Sequence, residues 1–156
     1  MSEILINRAR TCAVTGHRYL RKNFNIEKVE DKLKELVEKG FDTFLIGMAI
    51  GFDMICFQIL EKIREQKKLY IIACIPCEEQ AEKFNANQKE EYERLLSIAD
   101  QKILISKNYT ATCMQKRNQF MVDNSSAVLA YLNRDFGGTF NTVKYAQKKG
   151  IPVLMV

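Results

Sequence analysis

Four short segments of this sequence carry residue types suited to holding an anion. In the first, Thr15-Gly16-His17-Arg18, a hydroxyl, an imidazole and a guanidinium surround a glycine that lets the backbone come close to a ligand. The second, Gly47-Met48-Ala49-Ile50-Gly51-Phe52-Asp53, spaces two glycines four apart ahead of a helical pattern, so backbone N–H groups can face a phosphate. It has neither the lysine of a P-loop nor the third glycine of a GxGxxG turn. Asp53 falls in the first helical turn, where a carboxylate either answers the helix dipole or accepts ribose hydroxyls, and spacing weighs the two equally. In the third, Met114, Arg117, Asn118 and Met121 recur at helical spacing and set a cation and an amide between two methionines. An inward arginine there needs an anionic partner, and spacing alone favours one turned to solvent. In the fourth, Gly137-Gly138-Thr139 with Thr142 one turn on, a glycine pair stands at a helix start with a hydroxyl N-cap, a second phosphate cradle. Each segment also reads as an ordinary turn, loop or cap, and only their recurrence points to a site.

The elements between these segments decide whether they meet. Short apolar runs predict strands at 12–15, 43–46, 69–73, 102–105, 127–132 and 152–155. A first helix has Asn25 as N-cap, Ile26, Val29, Leu33, Leu36 and Val37 on its apolar face and Gly40 as a left-handed stop. A second begins near Gly51 with a wide apolar face that includes Phe52, Cys56 and Ile59. After Pro76 a charged helical stretch covers 78–99, broken near Asn85. A fourth helix over 112–123 opens on a Thr112–Gln115 capping box, and a fifth covers 139–149, closed by Gly150. This alternation predicts one α/β domain over 1–156, a Rossmann-like three-layer α/β/α fold with a mostly parallel sheet. Ligands in such sheets bind outside the carboxyl ends of the strands. All four segments fall at that edge.

The bulk composition narrows the partners. At 156 residues, with 47% hydrophobic and 28% charged, the chain is globular rather than disordered. No apolar run is long enough to cross a bilayer, and Glu3, Arg8 and Arg10 interrupt the N-terminus where a signal peptide would be apolar. A cytoplasmic protein without a membrane partner is expected. The five cysteines are odd in number and lie mostly in apolar segments, which fits reduced thiols. Cys74-Ile75-Pro76-Cys77 has redox-motif spacing but no thioredoxin pattern around it, and with His17 as the sole histidine no second pair completes a zinc site. No metal is expected. A net charge of +5 tolerates an anionic partner without demanding one, because most lysines sit beside glutamates on helix faces.

The order TGHR, GMAIGFD, CMQKRNQFMVD, GGTFNTVKYA resembles the SLOG superfamily, and within it the small YpsA-like proteins of bacterial or phage origin, from about Thr11 to Val156. That superfamily includes cytokinin-activating phosphoribohydrolases, the DNA-processing protein DprA, and domains that sense NAD- or ADP-ribose-related molecules. The resemblance implies a ligand across the strand ends, touched by Gly16, Gly47, Gly51, Gly137, Gly138 and Thr139, with Arg117 where the phosphoribohydrolases keep a functional arginine. Those hydrolases carry a catalytic glutamate in the turn after their glycine loop. Here Asn141, Val143 and Lys144 stand in that stretch, and Asn118 replaces their lysine. No catalytic residue is assigned; Asp53 or Asp123 would have to substitute.

The expected function is therefore binding, as a sensor or sequestering module, of a nucleotide-derived small ligand of the NAD/ADP-ribose type or a nucleoside phosphate. Thr15, Gly16, His17, Arg18, Gly47, Met48, Ala49, Gly51, Asp53, Arg117, Asn118, Gly137, Gly138, Thr139 and Thr142 are the expected ligand-binding residues. The alternatives are a nucleotide N-glycosidase of phosphoribohydrolase type and single-stranded nucleic-acid binding. Aromatic platforms for the latter (Tyr19, Phe24, Tyr109) are scattered in the sequence. A homo-oligomer is compatible with all of these.

Overall fold

In the computed structural model, which describes residues 5–156, β1 (Thr11–Gly16), β2 (Thr43–Ile46), β3 (Tyr70–Ile75) and β5 (Ala127–Tyr131) are buried along almost their whole length. Strands apolar on both faces need a layer of helices on each side. With β4 (Gln101–Leu104) and β6 (Val153–Met155) at the edges, they form one six-stranded sheet in the order β4-β3-β2-β1-β5-β6. Every strand pair is parallel, so the sheet is all-parallel rather than mostly so.

Successive strand residues face opposite layers. Cys12, Val14, Phe44, Ile46, Ile71 and Ala73 pack under α1 (Ile26–Glu38), α2 (Phe52–Arg64) and α3 (Ala86–Ile98). Ala13, Leu45, Ile72, Cys74, Val128 and Ala130 pack under α4 (Cys113–Asp123) and α5 (Gly138–Lys148). The result is the three-layer α/β/α arrangement expected of a Rossmann-like fold. Strands run outward from β1 through β2 to β4 on one side and through β5 to β6 on the other. That reversal between β1 and β5 opens a crevice where their carboxyl ends part.

Several boundaries differ from the sequence expectation. Within 78–99 only Ala86–Ile98 is helical, because Asn85 and Gln88 form a reciprocal capping box at the expected break. Strand β3 extends to Ile75, beyond the expected end at Ala73, and β4 starts at Gln101. The Thr112–Gln115 capping box does not form. Thr112 has ψ near 2°, outside the extended conformation that aims an N-cap oxygen at the third turn residue, and makes no side-chain cap bond. Thr139 is not the N-cap of the last helix either; Gly137 is, and α5 begins one residue earlier, at Gly138. Among the described residues no helix is long and apolar enough to cross a membrane.

The layer above β1 fixes where the first loop can go. A Cβ on Gly16 would lie 2.3–2.5 Å from the Cβ, Cγ and Cδ2 atoms of Phe52, the first residue of α2. These atoms are at the root of the side chain, so relief requires moving the helix start. Gly16→Ala is expected to destabilise the fold by about 1–3 kcal/mol, the range for overpacking a tight core, read as a lower urea midpoint with an unchanged slope.

Candidate functional site

Loop β1–α1 leaves the sheet at the crevice and is held there by aromatic packing. Phe52 stacks on Tyr131 with ring centroids 5.7 Å apart, and Phe24 meets the Tyr131 ring edge-on at 5.0 Å. The Tyr131 hydroxyl accepts the Arg21 N–H at 3.0 Å, and the His17 carbonyl accepts the Phe52 N–H at 3.3 Å. Gly51, the N-cap of α2, sits at φ +84°, and a Cβ there would strike the Arg18 carbonyl at 2.3 Å. Glycine is thus required at 51 for the chain to turn under loop β1–α1.

The loop after β2 is organised by one arginine. Arg117 comes from α4 and is only 6% exposed. Its Nη1 donates to the Gly47 carbonyl and, at 3.3 Å, to the Cys74 carbonyl; its Nε donates to Asn118 Oδ1 at 2.7 Å. Nη2 makes no hydrogen bond among the described residues. A Cβ on Gly47 would meet this guanidinium at 2.8 Å, so the close approach requires glycine. Gln80 Nε2 also donates to the Gly47 carbonyl, at 2.7 Å, and Tyr92 in turn donates to Gln80 Oε1. Met48 follows in a left-handed conformation, φ 63°, with its side chain fully buried. The expectation of a solvated Arg117 is overturned: strand-end carbonyls of β2 and β3 replace water around the cation.

Asp53 lies on the first turn of α2 and is 5% exposed. Its Oδ2 accepts the Ala49 N–H at 3.1 Å, whereas the buried Oδ1 has no partner among the described residues. Burial pushes the carboxyl up to about 6, against the opposing pull of Arg117, the Ala49 N–H and Arg18. His17 is likewise 5% exposed, and its Nε2 is buried without a partner. Burial first, then the nearby charges of Arg134 and Arg21, lowers its pKa and favours the neutral ring. Buried polar atoms without partners are rare, and these two lie on the wall of the same cavity.

That cavity, about 300 Å³, opens at the crevice between β1 and β5. It brings together Thr15, Gly16, His17 and Arg18 from the first segment, Gly47, Ala49 and Asp53 from the second, Arg117 and Asn118 from the third, and Gly138 and Thr139 from the fourth. Four expected residues do not line it. Met48 belongs to the core, and Gly51 and Gly137 turn the chain at helix starts. Thr142 donates its hydroxyl to the Gly138 carbonyl at 2.7 Å. Arg134 lines the cavity and is in none of the sequence expectations, and Tyr19, expected only as a scattered aromatic platform, lines it too. Arg134 lies in the plain-looking loop before the glycine pair, where its guanidinium covers the Phe136 ring at 4.7 Å; the sequence signal is a basic residue three before Gly137.

The thiols stand apart from this chemistry. Cys74 and Cys77 are free and buried. Burial pushes Cys74 up to about 12, and burial with the neighbouring Cys113 thiol pushes Cys77 up to about 11, so both stay protonated at neutral pH.

Comparison with known proteins agrees with this fold. The sequence profile of the YspA SLOG family matches residues 13–151. The SPbeta prophage-derived protein YoqJ of Bacillus subtilis (strain 168) is 31% identical, over 81% of this chain and 85% of that one. A UPF0398 protein of Bacillus cereus (strain G9842) is 30% identical over 76% and 67%. Among solved structures, DNA processing protein A of Streptococcus pneumoniae superposes with a TM-score of 0.67 at 17% identity, over 93% of this chain. The Helicobacter pylori protein of that name, described for its single-stranded DNA binding mode, does so at 18% identity and the same TM-score. The chain spans about half of the pneumococcal protein (49%) and 64% of the Helicobacter one.

The raised Asp53 pKa has a signed consequence for stability. Between the ordinary value of 3.8 and about 6 the folded protein holds a proton that the unfolded chain has released, so stability falls as pH rises through that window. His17, lowered from 6.5, works the other way just below 6.5. The difference between wild type and Asp53→Asn isolates the carboxyl. Wild type is expected to lose about 2–3 kcal/mol relative to the variant between pH 3.8 and 6.5, measured by urea denaturation across pH; a constant difference would contradict the buried, unpaired Oδ1.

Proposed function

The chain belongs to the YspA SLOG family, and we propose that it binds a nucleotide-derived small ligand, a nucleoside phosphate or an NAD/ADP-ribose-type molecule, as a sensor or sequestering module. The observation that carries this reading is the pairing of opposite poles in one cavity. Arg18, Arg134, the free Nη2 of Arg117 and the start of α5 at Gly138 and Thr139 make a cationic pole. The unpartnered Asp53 Oδ1 and His17 Nε2 make a pole that asks for hydrogen-bonding groups.

A phosphate suits the first pole: helix N-termini and arginine forks both favour it. A Cβ at Gly138 would meet nothing within 4 Å, which supports open space above the α5 N-terminus for a phosphate to approach the backbone. The second pole suits ribose hydroxyls, which donate to a carboxylate and to a neutral imidazole nitrogen. Arg117 contributes mainly as the frame of the pocket, since two of its three nitrogens are committed to protein acceptors.

Arg18 and Arg134 stand at the exposed rim and can be removed without touching the core. Arg18→Ala and Arg134→Ala are each expected to weaken AMP, ADP-ribose or NAD binding about tenfold, with a smaller effect at high salt, measured by calorimetry. Gly138→Val should abolish binding while leaving the melting temperature intact. Wild-type protein that takes up none of the three ligands, but shifts a labelled single-stranded oligonucleotide in a salt-dependent way, would move the reading to nucleic acid.

Phosphate held alike in ground and transition states does not accelerate a chemical step. The stretch after Thr139 offers Asn141 and Lys144 where a glycosidase needs a carboxylate. AMP incubated with the protein is therefore expected to stay intact by chromatography. Release of free base at roughly 1 per second or faster, lost in Asp53→Asn, would instead make Asp53 the catalytic acid.

A further inference from the structure

We propose that the groove between α4 and α5 is a nucleobase subsite, occupied by the base of the same ligand whose phosphate rests at the start of α5; this extends the nucleotide-binding reading and depends on it. The groove has a volume of about 360 Å³ and adjoins the strand-end cavity, with Met114, Asn118 and Gly138 in the walls of both. Gly138 lies in the shared wall, where an added Cβ would meet nothing within 4 Å. A ligand anchored over Gly138 is therefore bordered by both cavities.

The two cavities differ in chemistry as the two ends of a nucleotide do. The strand-end cavity holds arginines, a carboxylate and an imidazole. The groove holds four carboxamides, from Gln115, Asn118 and Gln119 on α4 and Asn141 on α5, beside the Met114 thioether and the Tyr145 ring. None of its lining residues is acidic, and its cations are Lys144 and Lys148 of α5. A carboxamide carries a donor and an acceptor side by side, which is the pattern along a nucleobase edge, and Asn and Gln pair with adenine in this way. A thioether and a phenol ring suit the flat faces of a base.

The amides are available for this work. Asn118 Oδ1 accepts from Arg117 Nε, which fixes the carboxamide and turns its NH2 into the free end. Gln115, Gln119 and Asn141 make no side-chain hydrogen bond among the described residues. Tyr145 is held in place because its hydroxyl donates to Asp123 Oδ1 at 2.7 Å. The fixed members, Asn118 and Tyr145, thus set the shape of the groove, and the exposed amides Gln115 and Asn141 adjust to the ligand.

The test compares ribose 5-phosphate with AMP by calorimetry on wild type and on the Gln115→Ala/Asn141→Ala double variant. Both substitutions are at exposed positions, and equal melting temperatures establish that the variant is folded. Wild type is expected to bind AMP at least about tenfold more tightly than ribose 5-phosphate, the scale of one good amide–base pairing. In the double variant that gap should close to about threefold or less, with the affinity for ribose 5-phosphate unchanged; Gln119→Ala should narrow it in the same direction. Equal affinities in wild type, or a gap that survives both variants, would overturn the subsite while leaving the phosphate site standing. So would a ligand-free dimer, seen by light scattering, that the double variant dissolves, because a second copy would then fill the groove. If wild type binds neither compound, the nucleotide reading itself falls and the subsite with it.

Discussion

A guanidinium taken out of water is the constraint around which the site is built. Desolvating such a cation costs several kcal/mol unless acceptors replace the lost water. Arg117 finds them at the carboxyl ends of two neighbouring strands, on Gly47 and Cys74, and in the adjacent Asn118 amide. The consequences spread from there. A side chain at position 47 would displace the guanidinium from these acceptors, because a Cβ would sit 2.8 Å from it. The chain must then turn through a left-handed methionine at 48, a costly conformation that a fully packed side chain stabilises. Helix α4 is drawn across the strand ends, which closes one wall of the cavity and places Met114 and Asn118 on it.

The same arginine explains why a carboxylate tolerates burial nearby. Asp53 and Arg117 make no direct ion pair among the described residues, yet the arginine's field is the largest influence opposing Asp53's desolvation. What is left is a carboxyl near its midpoint at mildly acid pH, half satisfied by the Ala49 N–H and half empty. An unsatisfied buried acceptor costs about 1–3 kcal/mol, and His17 Nε2 is a second buried polar atom without a protein partner among the described residues. A core selected only for stability would fill these positions with apolar groups. Two such losses in one cavity are the local inconsistency expected where a ligand supplies the missing partners.

The layered fold was legible because each strand and helix has its own periodicity. Asn25, Gly40 and the short apolar runs between helical patterns placed the six strands and five α-helices of the described residues, though not the 3-10 turn at Arg8–Arg10. Much of the site was legible for a topological reason: in a parallel sheet every strand-to-helix loop emerges on the same side, so glycine-marked loops far apart in sequence must converge. What could not be read was set by contacts across layers. Nothing in the spacing of α4 tells whether Arg117 points to solvent or to the Gly47 carbonyl, since its partners are backbone atoms 70 and 43 residues away. Gly51 looks like a phosphate glycine and is one that the Arg18 carbonyl demands. Thr142 reads in sequence as part of the phosphate cradle; its hydroxyl donates to the Gly138 carbonyl, and the residue lines the groove between α4 and α5. Arg134 lies outside every motif, and only folding brings it opposite His17 and Arg18.

The two poles of the cavity also restrict what can enter it. Above pH 6 an ionised Asp53 repels any anion that comes close, so a phosphate must keep to the arginine side while a neutral donor faces the carboxylate. A free phosphate ion fills only the first pole and leaves Oδ1 and Nε2 empty. A molecule with hydroxyls but no charge fills only the second and leaves Arg18 and Arg134 to solvent. Under the proposed function, a ligand with both functions on one frame answers both poles at once, and a phosphorylated sugar is the simplest such frame. The cavity is lined together by a buried acid, a buried neutral base and rim cations, where the carboxyl ends of β1 and β5 part.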